Sequence, residues 1–221
     1  MNRLFAVMVS IMFLASCGGK STNNDVIKTR LSGTAHILGQ VASGDVEIYG
    51  FMDGVRGTLY GEGSVSGGDW EVEVGSRYGD MIVEVDAGEG IPLQALVTGI
   101  EAGDEIENVL ISPYTTLATA YAGYRYRERE GEVGPAWAES EDLVYEHFGN
   151  VRHATVAPEP PGASADTLSN SLLSWFLLTS LEKMARDMDP AADLMDMVEL
   201  LSSDISYDGW FNGKDASGTI D

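Results

Sequence analysis

The stretch "GDWEVEVGSRYGDMIVEVDAG", residues 68–88, decides the fold of this chain. Trp70, Val72 and Val74 fall on one side of an extended backbone and Glu71 and Glu73 on the other, the period-two pattern of a strand with one buried face. A glycine-bounded break follows, "GSRYG". Met81, Val83 and Val85 then oppose Ile82 and Glu84, giving a second strand of the same kind.

The pattern extends in both directions. Val46 and Ile48 share a face against Glu47, and glycine-rich turns stand at "ASGD" 42–45, "MDG" 52–54, "SGGD" 66–69 and "AGEG" 87–90. About seven short strands between residues 30 and 111, polar outside and apolar inside, predict an antiparallel β-sandwich. At Ser112 the periodicity changes. Ser112 reads as an N-cap with Pro113 at the first helical position, and Leu117, Tyr121 and Tyr124 recur at helical spacing; Arg125, Arg127 and Arg129 mix with Glu128 and Glu130 at the helix end. A second helix is expected over Ser140–Phe148, stopped by Gly149-Asn150, and a Pro/Gly loop at "APEPPGASAD" 157–166. The third, Thr167–Met188, reads as the central helix of a small bundle, with Leu173, Phe176, Leu177, Ser180 and Met184 turned inward. Asp189-Pro190 would open a fourth helix through Leu201. The fold class is α+β: an antiparallel sandwich at 30–111 and a small α-helical bundle at 112–221, with a further C-terminal continuation as an open expectation.

The phrases "LSGTAHILGQVASGDVEIYGFMDG" and "GEGSVSGGDWEVEVGSRYGDMIVEVDAG" are similar to the carboxypeptidase-regulatory-like, transthyretin-like sandwich of bacterial surface proteins. Leu31–Thr34, Val46–Tyr49, Gly68–Val74 and Met81–Val85 carry the likeness. The step "ISPYTTLA", 111–118, resembles the "TPLTTLA" phrase that follows such sandwiches in envelope proteins. The resemblance implies an accessory module with no catalytic apparatus of its own.

The amino terminus supplies an address. Met1, Asn2 and Arg3 precede an apolar run of 11 residues, Leu4–Leu14, and the small residues Ala15 and Ser16, as in an export signal. That run is about half of the roughly 20 residues a membrane-crossing helix needs. Leu14-Ala15-Ser16-Cys17 resembles the lipobox of bacterial lipoproteins, which implies cleavage after residue 16 and acyl chains on Cys17, the sole cysteine. Two or more acyl chains anchor stably where one binds marginally. Gly18, in place of the aspartate that holds enterobacterial lipoproteins at the inner membrane, favours the outer membrane. Residues 17–29 then read as a lipidated cysteine and a flexible tether.

The formal charge is −22 with 13 basic and 35 acidic residues; loss of residues 1–16 removes Arg3 and leaves 12 against 35, or −23. Such a surface repels nucleic acid and polyphosphates. A single cysteine excludes an internal disulfide, and His36, His147 and His153 do not share a helix face at ligand spacing. "DISYDGWFNGKD", 204–215, places Asp204, Ser206, Asp208, Asn212 and Asp215 at positions 1, 3, 5, 9 and 12 with glycine at 6, the spacing of an EF-hand calcium loop. Asp at position 12 and "ASGTID" after it argue for a structural turn instead, so both readings stay open. Tyr121, Tyr124, Tyr126 and Trp137 are candidates either to stack on sugar or peptide or to pack the helices on the sandwich. Taken together, the sequence predicts a non-enzymatic envelope lipoprotein that binds an envelope protein or glycan or serves as structure. Two alternatives remain: the accessory module of an envelope hydrolase, and a calcium-dependent adhesion module.

Overall fold

The computed structural model describes residues 27–38, 40–86, 88, 90–128, 131–149, 157–158, 160–161, 169–215 and 218–219. The lipobox, the first nine residues of the tether, and Arg129, Glu130, Asn150 and His153 lie outside them.

Eight strands come first: β1 Arg30–Ile37, β2 Gln40–Val41, β3 Gly44–Met52, β4 Val55–Val65, β5 Asp69–Glu73, β6 Gly79–Asp86, β7 Leu93–Ile100 and β8 Glu105–Ile111. Four helices follow: α1 Pro113–Glu128, α2 Val133–His147, α3 Asn170–Met188 and α4 Leu194–Asp208. Two-residue strands β9 Lys214–Asp215 and β10 Gly218–Thr219 close the described chain. The fold is thus mixed α+β, strands before helices. In one sheet β1 carries β2, β5 and β8; the other runs β4-β3-β6-β7. The expected alternation sets the core: Leu31, Ala35, Trp70, Val72 and Ile111 of the first sheet meet Val46, Ile48, Met81, Val83 and Val85 of the second.

Two features of the sheets depart from expectation. β8 pairs with β1 in parallel, not antiparallel, because the chain leaves β7 in the second sheet and crosses to the first through the turn at 101–104. The outer face of β6 is also not polar and solvated. Met81 to Val85 are all buried, since Ile82 and Leu96 pack under Ala122 of α1 with Phe51, Val133 and Trp137 around them. The helices therefore form a third layer on the second sheet, and Tyr114, Leu117, Val144, Leu178 and Val198 belong to the same core as the strands.

The close approach that layer needs is visible at Gly123. A Cβ there would lie 2.4 Å from the Gly54 carbonyl oxygen at the β3–β4 turn, so only glycine fits. That turn has Asp53 and Gly54 both at positive φ, 53° and 80°, as a two-residue hairpin of matching twist requires.

The helices are placed differently from the expectation in four respects. α1, which packs on α2, α4 and β7, is the central helix, whereas α3 packs chiefly on α4. On α3 the buried positions are Leu172, Ser174, Leu178 and Ala185, while Phe176 and Met184 are exposed and Ser180 faces out with them. Apolar residues surround the first turns of this helix, so periodicity alone left its face undetermined. α2 starts at Val133, seven residues early, because Pro135 sits in the first turn, where no intrahelical N–H is needed. Finally, Asp189 ends α3, its N–H donating to the Ala185 carbonyl. α4 opens on Asp193, whose carboxylate accepts the Met195 and Asp196 N–H groups in a capping box, and continues to Asp208, past the expected end at Leu201.

Candidate functional site

Three places concentrate polar side chains in this frame. The first is the carboxyl end of α4. Asp204 is the first residue of the expected calcium loop, yet it lies within the helix and is 3 % exposed. Oδ2 accepts the Asn212 and Gly213 N–H groups at 2.8 and 3.0 Å, and Oδ1 accepts the Lys214 N–H at 2.8 Å. Asp208 accepts the Trp210 N–H at 3.0 Å on Oδ1 and the Asn212 side-chain amide at 2.9 Å on Oδ2. Asp204, Asp208 and Asn212 are thus brought together, but by hydrogen bonds to one another and to backbone. Ser206 donates instead to the Ser203 carbonyl at 3.0 Å, and Asp215 ends β9.

With its first five residues helical, the segment does not form the twelve-residue ring expected for an EF-hand. Gly209 at φ 80° caps α4, and Phe211 packs edge-on against His147 and Phe148, at 5.1 and 5.7 Å between ring centres. Among the described residues, no three His, Cys, Asp or Glu side chains are gathered where one metal ion could be held.

The second place is a row of acids across the outer face of the second sheet. Glu47 stands directly opposite Glu62 on β4 and Glu84 on β6, and Glu84 opposite Gln94 on β7. Like charges at such positions oppose sheet formation. The row is compensated by three groups. Arg56 donates to Glu84 at 2.7 Å and lies 4.7 Å over the Tyr49 ring, Gln94 donates to the other Glu84 oxygen at 2.8 Å, and the Tyr49 hydroxyl donates to Glu47 at 2.7 Å. The bond to Glu84 raises the Arg56 pKa further, and the bond to Glu47 raises that of Tyr49. Glu84 is 3 % exposed while Arg56 is half exposed, so this cluster holds a buried carboxylate at its inner end and an acidic surface at its outer end.

The third is a cleft of about 450 Å³ on the first sheet, lined by Ser32, Thr34, Asp69, Glu107, Asn108 and Leu110 with Ala157 at its border. It exists because β8 bulges: the register with β1 shifts between Leu31 and Gly33, and Asn108 takes up a left-handed conformation at φ 62°. The bulge brings the Val109 carbonyl so near β1 that a Cβ on residue 33 would lie 1.9 Å from its oxygen. Hydroxyls, carboxylates and an amide line the cleft, and no cationic side chain is among its described lining residues. Its chemistry suits hydroxyl-bearing or cationic groups and disfavours anions.

The aromatic candidates serve packing. Tyr126 meets Phe51 edge-on at 5.3 Å, Tyr121 and Tyr124 stack on each other at 5.9 Å, and Trp137 is packed against the core. His147 belongs to the Phe211 contact and His36 to β1. Sequence reasoning passed over Arg56, Gln94 and Asn108. An acid inside the apolar run "MIVEV" was a usable signal for the first two, because such a carboxylate needs a partner; a bulge at Asn108 had none.

No protein-family model matches the chain, and a search of curated proteins finds no match. No helix among the described residues is long and apolar enough to cross a membrane.

Proposed function

We propose that this chain is a non-enzymatic, acyl-anchored lipoprotein of the bacterial cell envelope, with its α+β body held off the membrane on a tether and used for binding or as structure. The single observation that carries the reading is Leu14-Ala15-Ser16-Cys17 behind a basic start and an apolar run of 11 residues. Gly18 favours the outer membrane. The two-sheet unit is read as a transthyretin-like module, a reading supported by its strand phrases, by two sheets sharing one core and by the switch to helices at "ISPYTTLA". Binding is assigned to the cleft beside Asn108, whose lining of acceptors suits an envelope glycan or a basic segment of an envelope protein.

Labelling growing cells with a palmitate analogue tests the anchor. The wild-type chain takes up the label and Cys17→Ser does not; equal labelling of both, or of neither, would overturn the reading.

A further inference from the structure

The loop that closes on Asp204 carries one peptide bond built to rearrange. The geometry points to Asn212-Gly213 as a self-modifying site, at which the Gly213 backbone nitrogen displaces the Asn212 side-chain amide. The asparagine is exposed and lies in a bend between α4 and β9. Its neighbour has no side chain to obstruct ring closure, and even a Cβ on residue 213 would meet nothing within 4 Å. Both reacting groups are held by carboxylates: the Gly213 N–H by Asp204 at 3.0 Å and the Asn212 amide nitrogen by Asp208 at 2.9 Å. Downstream, β9 and β10 pair over only two residues each, so little ladder resists the motion that closes the ring.

As the Gly213 nitrogen closes on Asn212 Cγ, its proton passes to the Asp204 carboxylate that already accepts it. The new N–C bond forms with the nitrogen lone pair, the Cγ–Nδ2 bond breaks, and the departing nitrogen takes up that proton and leaves as ammonia. Water then opens the five-membered imide at either carbonyl, leaving aspartate or isoaspartate at 212. No oxidant or reductant is involved, and the net change is water in and ammonia out.

The product cannot keep the loop as it is. A carboxylate at 212 faces the Asp208 oxygen that its amide used to bind, so a donor becomes a like charge. Isoaspartate also inserts a methylene into the backbone between the first and second of the three N–H groups that Asp204 gathers. The modification therefore releases the terminal hairpin from α4 irreversibly and on a chemical timescale.

Purified full chain and a synthetic peptide of residues 204–215 are incubated side by side at mildly alkaline pH. Conversion at 212 is followed by peptide mass and by isoaspartate content. The folded chain is expected to convert at least as fast as the peptide, and Asp204→Asn to slow conversion about tenfold, less than the ~10²–10⁴ that a positioned acid or base contributes in an enzyme. Should that variant fail to fold, Asp204→Glu, which displaces the carboxylate by one methylene, replaces it with the same expectation. An intact Asn212 in the folded chain while the peptide converts overturns the proposal, and so does conversion that neither change at 204 slows.

Discussion

Replacing Asp204 with alanine removes a carboxylate that is 3 % exposed and accepts three consecutive N–H groups, those of Asn212, Gly213 and Lys214. Two outcomes compete. If the loop stays in place, three donors lose a charged acceptor, at about 1–3 kcal/mol each where water does not reach them. If the loop instead peels away, water satisfies the donors and the cost becomes the burial of half-buried Phe211 against His147 and Phe148, about 1.5–3 kcal/mol for a fully buried side chain. The cheaper route governs, so a loss of about 1–3 kcal/mol is expected with the hairpin detached. Urea denaturation of the wild-type and Asp204→Ala chains measures the first quantity, and limited proteolysis between 209 and 215 reports the second. A loss below about 0.5 kcal/mol, the range of an ordinary surface substitution, together with an unchanged cleavage pattern, would refute the assignment of Asp204 as the organiser of this end.

Four further outcomes are expected. Arg56→Ala strands the buried Glu84 beside Gln94 and should cost about 2–3 kcal/mol, somewhat under the 3–5 of a fully buried pair because Arg56 is half exposed; adding Glu84→Gln should restore most of it in the same urea assay. Burial raises the pKa of the Tyr114 phenol well above its ordinary value, against a smaller opposing effect of a hydrogen bond with the Ser174 side chain. With the folded pKa raised, this contribution is complete below about pH 10 and is lost as pH climbs toward the folded pKa, so stability should fall by up to about 1.4 kcal/mol per pH unit in the wild type and less steeply in Tyr114→Phe. Gly33→Ala should destabilise by about 1–3 kcal/mol or more, since the methyl collides with the Val109 backbone and not with a movable side chain. Excess calcium should leave the melting temperature unchanged because backbone N–H groups already occupy Asp204; a rise that Asp208→Ala abolishes would restore the calcium loop.

The sheets were legible because strands with one buried face write their orientation directly: Trp70, Val72 and Val74 are buried and Glu71 and Glu73 exposed, as the alternation requires. β6 was harder. Its outer residue Ile82 lies under a helical layer whose docking depends on residues forty or more positions away, and a period-two pattern carries no information about what covers a face. On α3 the abundance of apolar residues concealed which stripe was buried, so exposed Phe176 and Met184 were placed inside. The α4 cap was assigned to Asp189 where Asp193 serves, since either aspartate precedes a plausible helix and only the reciprocal bond from Asp196 distinguishes them. That shift of start and end turned the first five residues of an apparent calcium loop into helix. The 204–215 segment was therefore found by its oxygens, while their employment, gathering backbone N–H groups, depended on where the helix stopped. The cleft by Asn108 arises from a bulge, an irregularity of pairing that the residues of β8 do not announce.

The central claim concerns Cys17, and the intact mass of the protein isolated from envelope fractions tests it most directly. The account predicts a chain that begins at residue 17 and carries the added mass of its acyl chains. A mature chain that begins at any other residue, or at an unmodified Cys17, would contradict it.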